Sequence, residues 1–312
     1  MKRYWLLTTA IAVLFTASSA GAQAQARGGQ RGAQAEAGGG NREWNLKAPW
    51  GATRRDAPIN AQAKDPFKLF DNVYSVGFQT VSAYLVTTSA GLVLIDSGWK
   101  ETTEDLLKNI RKAGFDPANI KYVFITHSHT DHYGAAARVK QVSGARVGMS
   151  AEDWQSVEQQ QSGQRGQNSG LALARDLVIK DGQTITAGDT TFKFYFTPGH
   201  TVGATSIEYQ VRDGGKSYRA VAPGGMGMQF GPDATPTFLK SVERLKQLGP
   251  WDVVLGNHPF LMPSDLAEIE KDLAKRGNGP HPAVLGPAKN NEWFDAVLKT
   301  VHEKLDSEKA AR

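Results

Sequence analysis

The sequence predicts an α+β protein in which two packed sheets are clothed by helices. Three observations lead there. Strand-like segments come in blocks with helical segments between the blocks, an order that disfavours a doubly wound parallel sheet. From about Trp44 onward apolar periodic segments alternate with short turns, and no low-complexity stretch is long enough to split that part of the chain. Finally, residues able to bind metal gather where strand-like segments end, above all at THSHTDHYG, residues 126–134, which holds three of the chain's seven histidines.

Taken in order, the 312 residues open on Lys2 and Arg3, pass through the apolar Tyr4 to Phe15, and reach small-residue sites at Ala20-Gly21-Ala22, Ala22-Gln23-Ala24 and Ala24-Gln25-Ala26. That is the layout of a cleaved secretory signal over residues 1–26, with cleavage after 22, 24 or 26, and its core is too short to anchor in a bilayer. Residues 27–43, rich in Gly, Gln and Ala, read as a flexible tether, 44–308 as one folded domain and 309–312 as a tail. The expectation is an exported protein, periplasmic in a bacterium, monomeric and without a stable membrane anchor. There is no cysteine, so packing and metal must supply the stability that disulfides give other exported proteins. The formal net charge is +5, but two of the 36 Lys+Arg lie in the signal, leaving 34 against 31 Asp+Glu. A nearly neutral folded part lacks the basic patch of a nucleic-acid binder.

Strand patterns follow at Val73 to Phe78, Ser82 to Thr87 and Leu92 to Ile95, the last ending in Asp96-Ser97-Gly98. A helix is predicted over Glu101 to Ala113, with Leu106, Leu107 and Ile110 on one face. Next come a strand at Ile120 to Ile125, a helix from about Gly134, a strand at Ala145 to Met149, a helix at Ala151 to Glu158, and a polar loop from Gln159 to Gly170. The second half offers strands at Thr191 to Phe196, Thr205 to Val211, Tyr218 to Ala222 and Val253 to Leu255. Its helices are predicted at Thr237 to Leu248, Ser264 to Lys275 and Asn291 to Leu305.

Side chains two apart on an extended segment point the same way, so His127 and His129 can share one partner. Asp131 and His132 come where Gly134 and Ala135 to Ala137 turn into a helix, and can aim at a second point nearby. Two adjacent poles of nitrogen and oxygen ligands suit two zinc ions. Further ligands are expected at later strand ends and are found in Thr197-Pro198-Gly199-His200-Thr201 and Gly256-Asn257-His258-Pro259. His281, in a Gly/Pro loop, and His302, on the terminal helix, read as structural or solvated.

LIDSG, THSHTDH, TPGHT and GNHP, in this order and spacing, resemble the metallo-β-lactamase superfamily from about Trp44 to the last helix. Ser82-Ala83-Tyr84-Leu85-Val86, the Ser241 to Leu245 helix and a histidine-only first site are most like the third subclass of class B zinc β-lactamases. The resemblance implies an αββα sandwich of two packed mixed sheets flanked by helices. It implies two zinc ions per chain, the first on His127, His129 and His200 and the second on Asp131, His132 and His258. The implied reaction opens the β-lactam ring of penicillins, cephalosporins or carbapenems, an antibiotic-resistance activity, by attack of a zinc-bound hydroxide oriented by Asp131, with no protein nucleophile. Asp96 either caps a turn or, with Thr201, positions ligand histidines. Gly225, Met226, Met228 and Gln229 are the expected substrate contacts, a glycine- and methionine-rich wall with few polar hooks. The Gln159 to Gly170 loop either lies over the site or is a solvated surface loop.

Two absences set the subclass. The first subclass puts a cysteine on its second zinc, and this chain has none. The lactonase and glyoxalase-like relatives bridge both metals with an aspartate, where this chain reads Ala222-Pro223-Gly224-Gly225-Met226. Asp213 and Asp233 are weak substitutes in turn-like contexts, of which an unusual loop would bring Asp233 near. The alternatives are therefore a zinc hydrolase of lactones or thioesters on the same scaffold and, in another class, a non-catalytic exported zinc-binding protein.

Overall fold

Leu92 to Ile95 is apolar at every position, so a strand made from it needs cover on both faces. The computed structural model, which describes residues 58–162 and 172–312 together with Trp44, Lys47 and Pro49, supplies that cover. Val93 and Ile95 point to a core shared with a second sheet, and Leu92 and Leu94 to a core shared with helices. The first sheet runs in spatial order β1 (Phe67–Phe70), β2 (Val73–Ser75), β3 (Tyr84–Thr88), β4 (Gly91–Ile95), β5 (Ile120–Phe124), β6 (Arg146–Ser150) and β7 (Leu177–Ile179). It is antiparallel from β1 to β4 and parallel from β4 to β7. The second sheet contains β8 (Thr184–Ala187), β9 (Thr190–Phe196), β10 (Thr205–Asp213), β11 (Lys216–Ala222) and β12 (Val253–Val254), in the order β12-β11-β10-β9-β8. Only β11 and β12 pair in parallel there.

Between the sheets Val86, Val93 and Phe124 meet Phe192, Phe194, Ile207 and Ala220, with the Phe124 and Phe194 rings edge to face at 4.9 Å. Helices α1 (Thr103–Lys112), α2 (Thr130–Tyr133), α3 (Ala136–Ser143) and α4 (Ala151–Ser162) belong to the first sheet's side; α5 (Thr235–Leu248), α6 (Leu266–Lys275) and α7 (Gly286–Ala310) follow β11. The face predicted for α1, Leu106, Leu107 and Ile110, is buried against the first sheet. On the far side Phe238, Val242 and Leu245 of α5 pack with Phe294, Val297 and Val301 of α7 under the second sheet. The αββα sandwich of two mixed sheets is therefore present.

Several boundaries differ from the sequence reading. Strands β1, β7 and β8, of three or four residues, were not expected: at that length there is too little alternation to see, and pairing partners define them. Helix α4 runs on to Ser162 through the start of the expected polar loop, because Gln160 and Gln161 have hydrogen-bond partners across the fold. Helix α7 is extended at both ends relative to Asn291 to Leu305. His281 is a core residue, stacked on Phe70 at 4.0 Å with Nε2 donating to the Leu69 carbonyl, whereas His302 is exposed. The predicted signal, the tether and residues 163–170 of the loop lie outside the described residues.

The topology decides where the site can be. The ends of β4 and β5, paired in parallel, meet the ends of β9, β11 and β12 at one edge of the sandwich. Thr205 N donates to the Thr126 carbonyl there, joining the two sheets.

Candidate metal centre

Each cluster takes ligands from both sheets. His127 and His129 follow β5 and His200 follows β9; their three ligand atoms lie within 4.8 Å of one another. Asp131 and His132 sit on the single turn of α2, and His258 follows β12, giving a second trio within the same limit. The two trios adjoin: the His127 and His132 rings are 4.0 Å apart. Within the first trio the three rings stand roughly perpendicular at 4.6–4.8 Å, as they would when several imidazoles aim one nitrogen each at a shared point.

What lies behind each ring says which nitrogen is offered. His200 Nδ1 donates to the Gly227 carbonyl and His258 Nδ1 to the Thr80 carbonyl, both at 2.6 Å, so the neutral ring of each carries its proton on Nδ1 and its lone pair on Nε2. His132 Nδ1 donates to Asp96 Oδ2 at 2.9 Å. The Thr126 hydroxyl has one hydrogen and gives it to Asp96 Oδ2 at 2.8 Å, so at 3.1 Å it can only accept from His127 Nδ1, which the Asn257 amide nitrogen also approaches, at the longer distance of 3.4 Å. The Nε2 atoms of His127 and His132 are buried with no hydrogen-bond partner. An orphaned buried imidazole nitrogen such as His127 Nε2 is costly unless something electrophilic faces it, and beside it His132 Nε2 faces Asp131 Oδ2, at 3.4 Å, an arrangement that fits a metal pair.

Asp96 thus stands behind a ligand of each cluster, and Thr126 N completes its set at 2.8 Å. It has a positive φ of 57°, a conformation that costs energy for a residue with a side chain and is held here by these bonds. The bond that the Thr201 hydroxyl makes is to a carboxylate rather than to a ligand imidazole: it donates to Asp153 Oδ2 at 3.0 Å. Asp153 and Asn257 were not singled out from the sequence. Asn257 Nδ2 reaches Thr126 Oγ1 at 3.3 Å and its carbonyl takes Ser82 N at 2.9 Å, so it braces the His127 end.

Burial opposes protonation of His127, and with the neighbouring ligand histidines it holds that imidazole well below its ordinary value. His132 goes the other way. Its burial also opposes the charge, but the Asp131 and Asp96 carboxylates outweigh it and push His132 up to about 10. Burial alone would raise Asp131, yet the facing His132 and His258 hold it well below the usual carboxylate range. Asp131 Oδ2 lies 3.4 Å from His132 Nε2 and 3.8 Å from His258 Nε2.

The clusters open into a cavity of about 240 Å³ lined by Thr80, Trp99, His129, Asp131, His200, Gln229 and His258. Of the expected substrate wall only Gln229 lines it. Gly225 stands behind His200, where a Cβ would fall 2.5 Å from the ring, so a glycine is required for that approach. Met226 and Met228 are corrected: both are buried with Val221, Phe230 and Phe238 in the core beneath the second sheet, and the apolar wall is the half-buried Trp99. The sequence carried no periodic signal for that role, because Trp99 follows a turn. Neither carboxylate weighed as a bridge is here: Asp213 pairs with Arg276 at 2.6 Å and Asp233 with Arg312 at 3.1 Å. Among the described residues Asp131 is the one carboxylate in either cluster.

Comparison with known proteins agrees with this geometry. Residues 76–214 match the family model of the metallo-beta-lactamase superfamily. Among solved structures, BJP-1, a subclass B3 metallo-beta-lactamase of Bradyrhizobium japonicum, is 28% identical with a TM-score of 0.66, covering 80% of this chain and 97% of that one. The native FEZ-1 metallo-beta-lactamase from Legionella gormanii is 26% identical with a TM-score of 0.71, covering 81% and 99%. A hydroxyacylglutathione hydrolase of Pseudomonas paraeruginosa is 32% identical over 81 residues, 26% of this chain and 25% of that protein. For such a hydrolase of Acidiphilium cryptum the figures are 29% over 151 residues, 46% and 52%, so the chain spans between a quarter and about half of these relatives.

Proposed function

The chain carries a metallo-beta-lactamase superfamily domain, and from that premise we propose that it is a two-zinc hydrolase that opens the ring of β-lactams. The observation that carries this reading is the ligand set itself: six side chains in two trios, with Asp131 the single carboxylate among them. A second carboxylate placed between the trios would favour a lactonase or thioesterase; Asp96 faces His132 Nδ1, on the side away from Nε2. The subclass B3 likeness over nearly the full length of BJP-1 and FEZ-1 supports the same choice.

The two trios would hold zinc, which when bound would acidify water toward neutral pH and polarise a carbonyl. The protein's own groups do the rest. The Gly227 and Thr80 carbonyls and the Asp96 carboxylate hold the Nδ1 protons of His200, His258 and His132, so that each ring is oriented before a metal arrives. Asp131 faces the cavity with its carboxylate ionised, where it can accept a hydrogen bond from the attacking water and set its direction. Trp99 gives the substrate ring system an apolar platform and Gln229 an amide to bond. No serine or cysteine nucleophile is required.

The test is hydrolysis of a chromogenic cephalosporin by the mature protein with zinc present and after chelation. Turnover that stops with the chelator and returns with zinc supports the proposal. A protein that holds two zinc ions and leaves the β-lactam intact sinks it, and turns attention to thioesters, the reading favoured by the partial match to hydroxyacylglutathione hydrolases. Export to the periplasm, read from the first 26 residues, belongs to the same proposal, since β-lactams act on wall synthesis outside the cytoplasmic membrane.

A further inference from the structure

Asp153, on the first turn of α4, is fully buried and takes no direct part in either ligand trio. Its two oxygens accept four hydrogen bonds. Oδ1 takes Ser128 Oγ at 2.9 Å and Gly203 N at 3.1 Å; Oδ2 takes Ser128 N at 3.1 Å and Thr201 Oγ1 at 3.0 Å. Ser128 is the residue between His127 and His129, and Thr201 is the residue after His200. One carboxylate therefore ties together the loop that brings two ligands of the first trio from one sheet and the loop that brings the third from the other. The approach is close enough that Gly203 admits no side chain: a Cβ there would lie 2.1 Å from Ser150 Oγ and 2.8 Å from Asp153 Cγ. Gln160, two turns along the same helix, donates to the Ser128 carbonyl at 3.0 Å, so α4 grips Ser128 through its amide, its hydroxyl and its carbonyl.

The charge adds a second reason. All four donors to Asp153 are neutral, and among the described residues no cation pairs with it. A buried carboxylate so placed is expensive unless a positive charge lies near, and the point at which His127, His129 and His200 converge is where a cation would sit.

We propose that Asp153 is a positioning residue for the first metal: it fixes the spacing of the two ligand-bearing loops and supplies outer negative charge to that cation. The proposal rests on the two-zinc part of the reading above and is independent of the substrate. The experiment is a zinc titration of metal-stripped mature protein against a chromophoric chelator, with the melting temperature of the metal-free form recorded alongside. His258→Ala serves as the background in which only the first trio is complete. Asp153→Asn, alone and in that background, is expected to weaken the first site by about 10–100-fold and leave the second within about threefold. Thr201→Val, which removes one of the four bonds, should weaken the same site by less; it carries the test if Asp153→Asn does not fold. Native affinity at both sites in the two variants overturns the proposal. So does an equal loss at both sites accompanied by a lower metal-free melting temperature, which would make Asp153 a general structural residue. Fewer than two zinc ions in the unaltered protein would overturn the two-zinc reading itself, before any variant is considered.

Discussion

The two ligand trios sit side by side, with the His127 and His132 rings 4.0 Å apart, yet they are prepared for a metal in opposite ways. In the first, three imidazoles converge, and burial together with the neighbouring rings keeps His127 neutral, so its ligand nitrogen is bare before any metal binds. In the second, Asp131 and Asp96 flank His132 and hold a proton on it, forming an internal ion pair that a metal must displace. The difference shows that ligand identity alone does not make a site ready; the charges facing each ligand decide whether it is loaded against a proton.

Removal of a ligand has the largest expected effect. His200→Ala should empty the first trio and His258→Ala the second, each lowering turnover by more than the roughly 10–100-fold typical of losing an outer partner. Metal content by atomic emission alongside turnover decides it, and retention of both metals by either variant would refute the assignment. Next in size is Asp96→Ala. Because this carboxylate takes His132 directly and His127 through Thr126, both sites should lose about 10–100-fold in zinc affinity, unlike either single-ligand variant.

A pH titration sharpens the contrast. With His132 pushed up to about 10, zinc entering the second trio displaces a proton, and its affinity should fall about tenfold for each unit of acidification below that value. The His127 contribution, its own value being lowered, stays flat across the same range. Competition titrations at three pH values on the single-trio variants would read both slopes. Stability of the metal-free protein follows by linkage. A raised imidazole stabilises the fold fully below its unfolded value of about 6.5, and that contribution is lost as pH climbs through about 10. Asp131, being depressed, contributes above its unfolded value of about 3.9, and loses that contribution as acid protonates it. The metal-free melting temperature should therefore decline on the alkaline side while the loaded protein's does not. The smallest expected effect is at the cavity wall: Trp99→Ala should raise KM by about 3–10-fold, the worth of one aromatic contact, with both metals retained. A fall in metal content instead would make Trp99 part of the metal scaffold.

Much of this was legible from residue types. Leu92 to Ile95 is apolar throughout and announces a strand buried on both faces, Ile120 to Ile125 is β-branched and aromatic enough to announce another despite Lys121, and the period of Leu106, Leu107 and Ile110 announces the helix that covers them. THSHTDH, TPGHT and GNHP announce ligands because histidine and aspartate two residues apart, just past a strand, have few structural uses. The glycine- and methionine-rich segment after β11 misled, since Met226 and Met228 turn inward; a methionine pattern there reads the same for core and cavity.

The layered fold and the candidate ligand side chains follow from local patterning, ligand chemistry and family resemblance, which rest on residue type and spacing. The tertiary structure alone sets which nitrogen each histidine offers, that Asp96 serves both trios, and that Asp153 joins the Ser128 loop to the Thr201 loop, far apart along the chain. Those facts depend on distances between chain segments brought together by sheet pairing and inter-sheet packing, and nothing in the local order of residues encodes a distance of that kind.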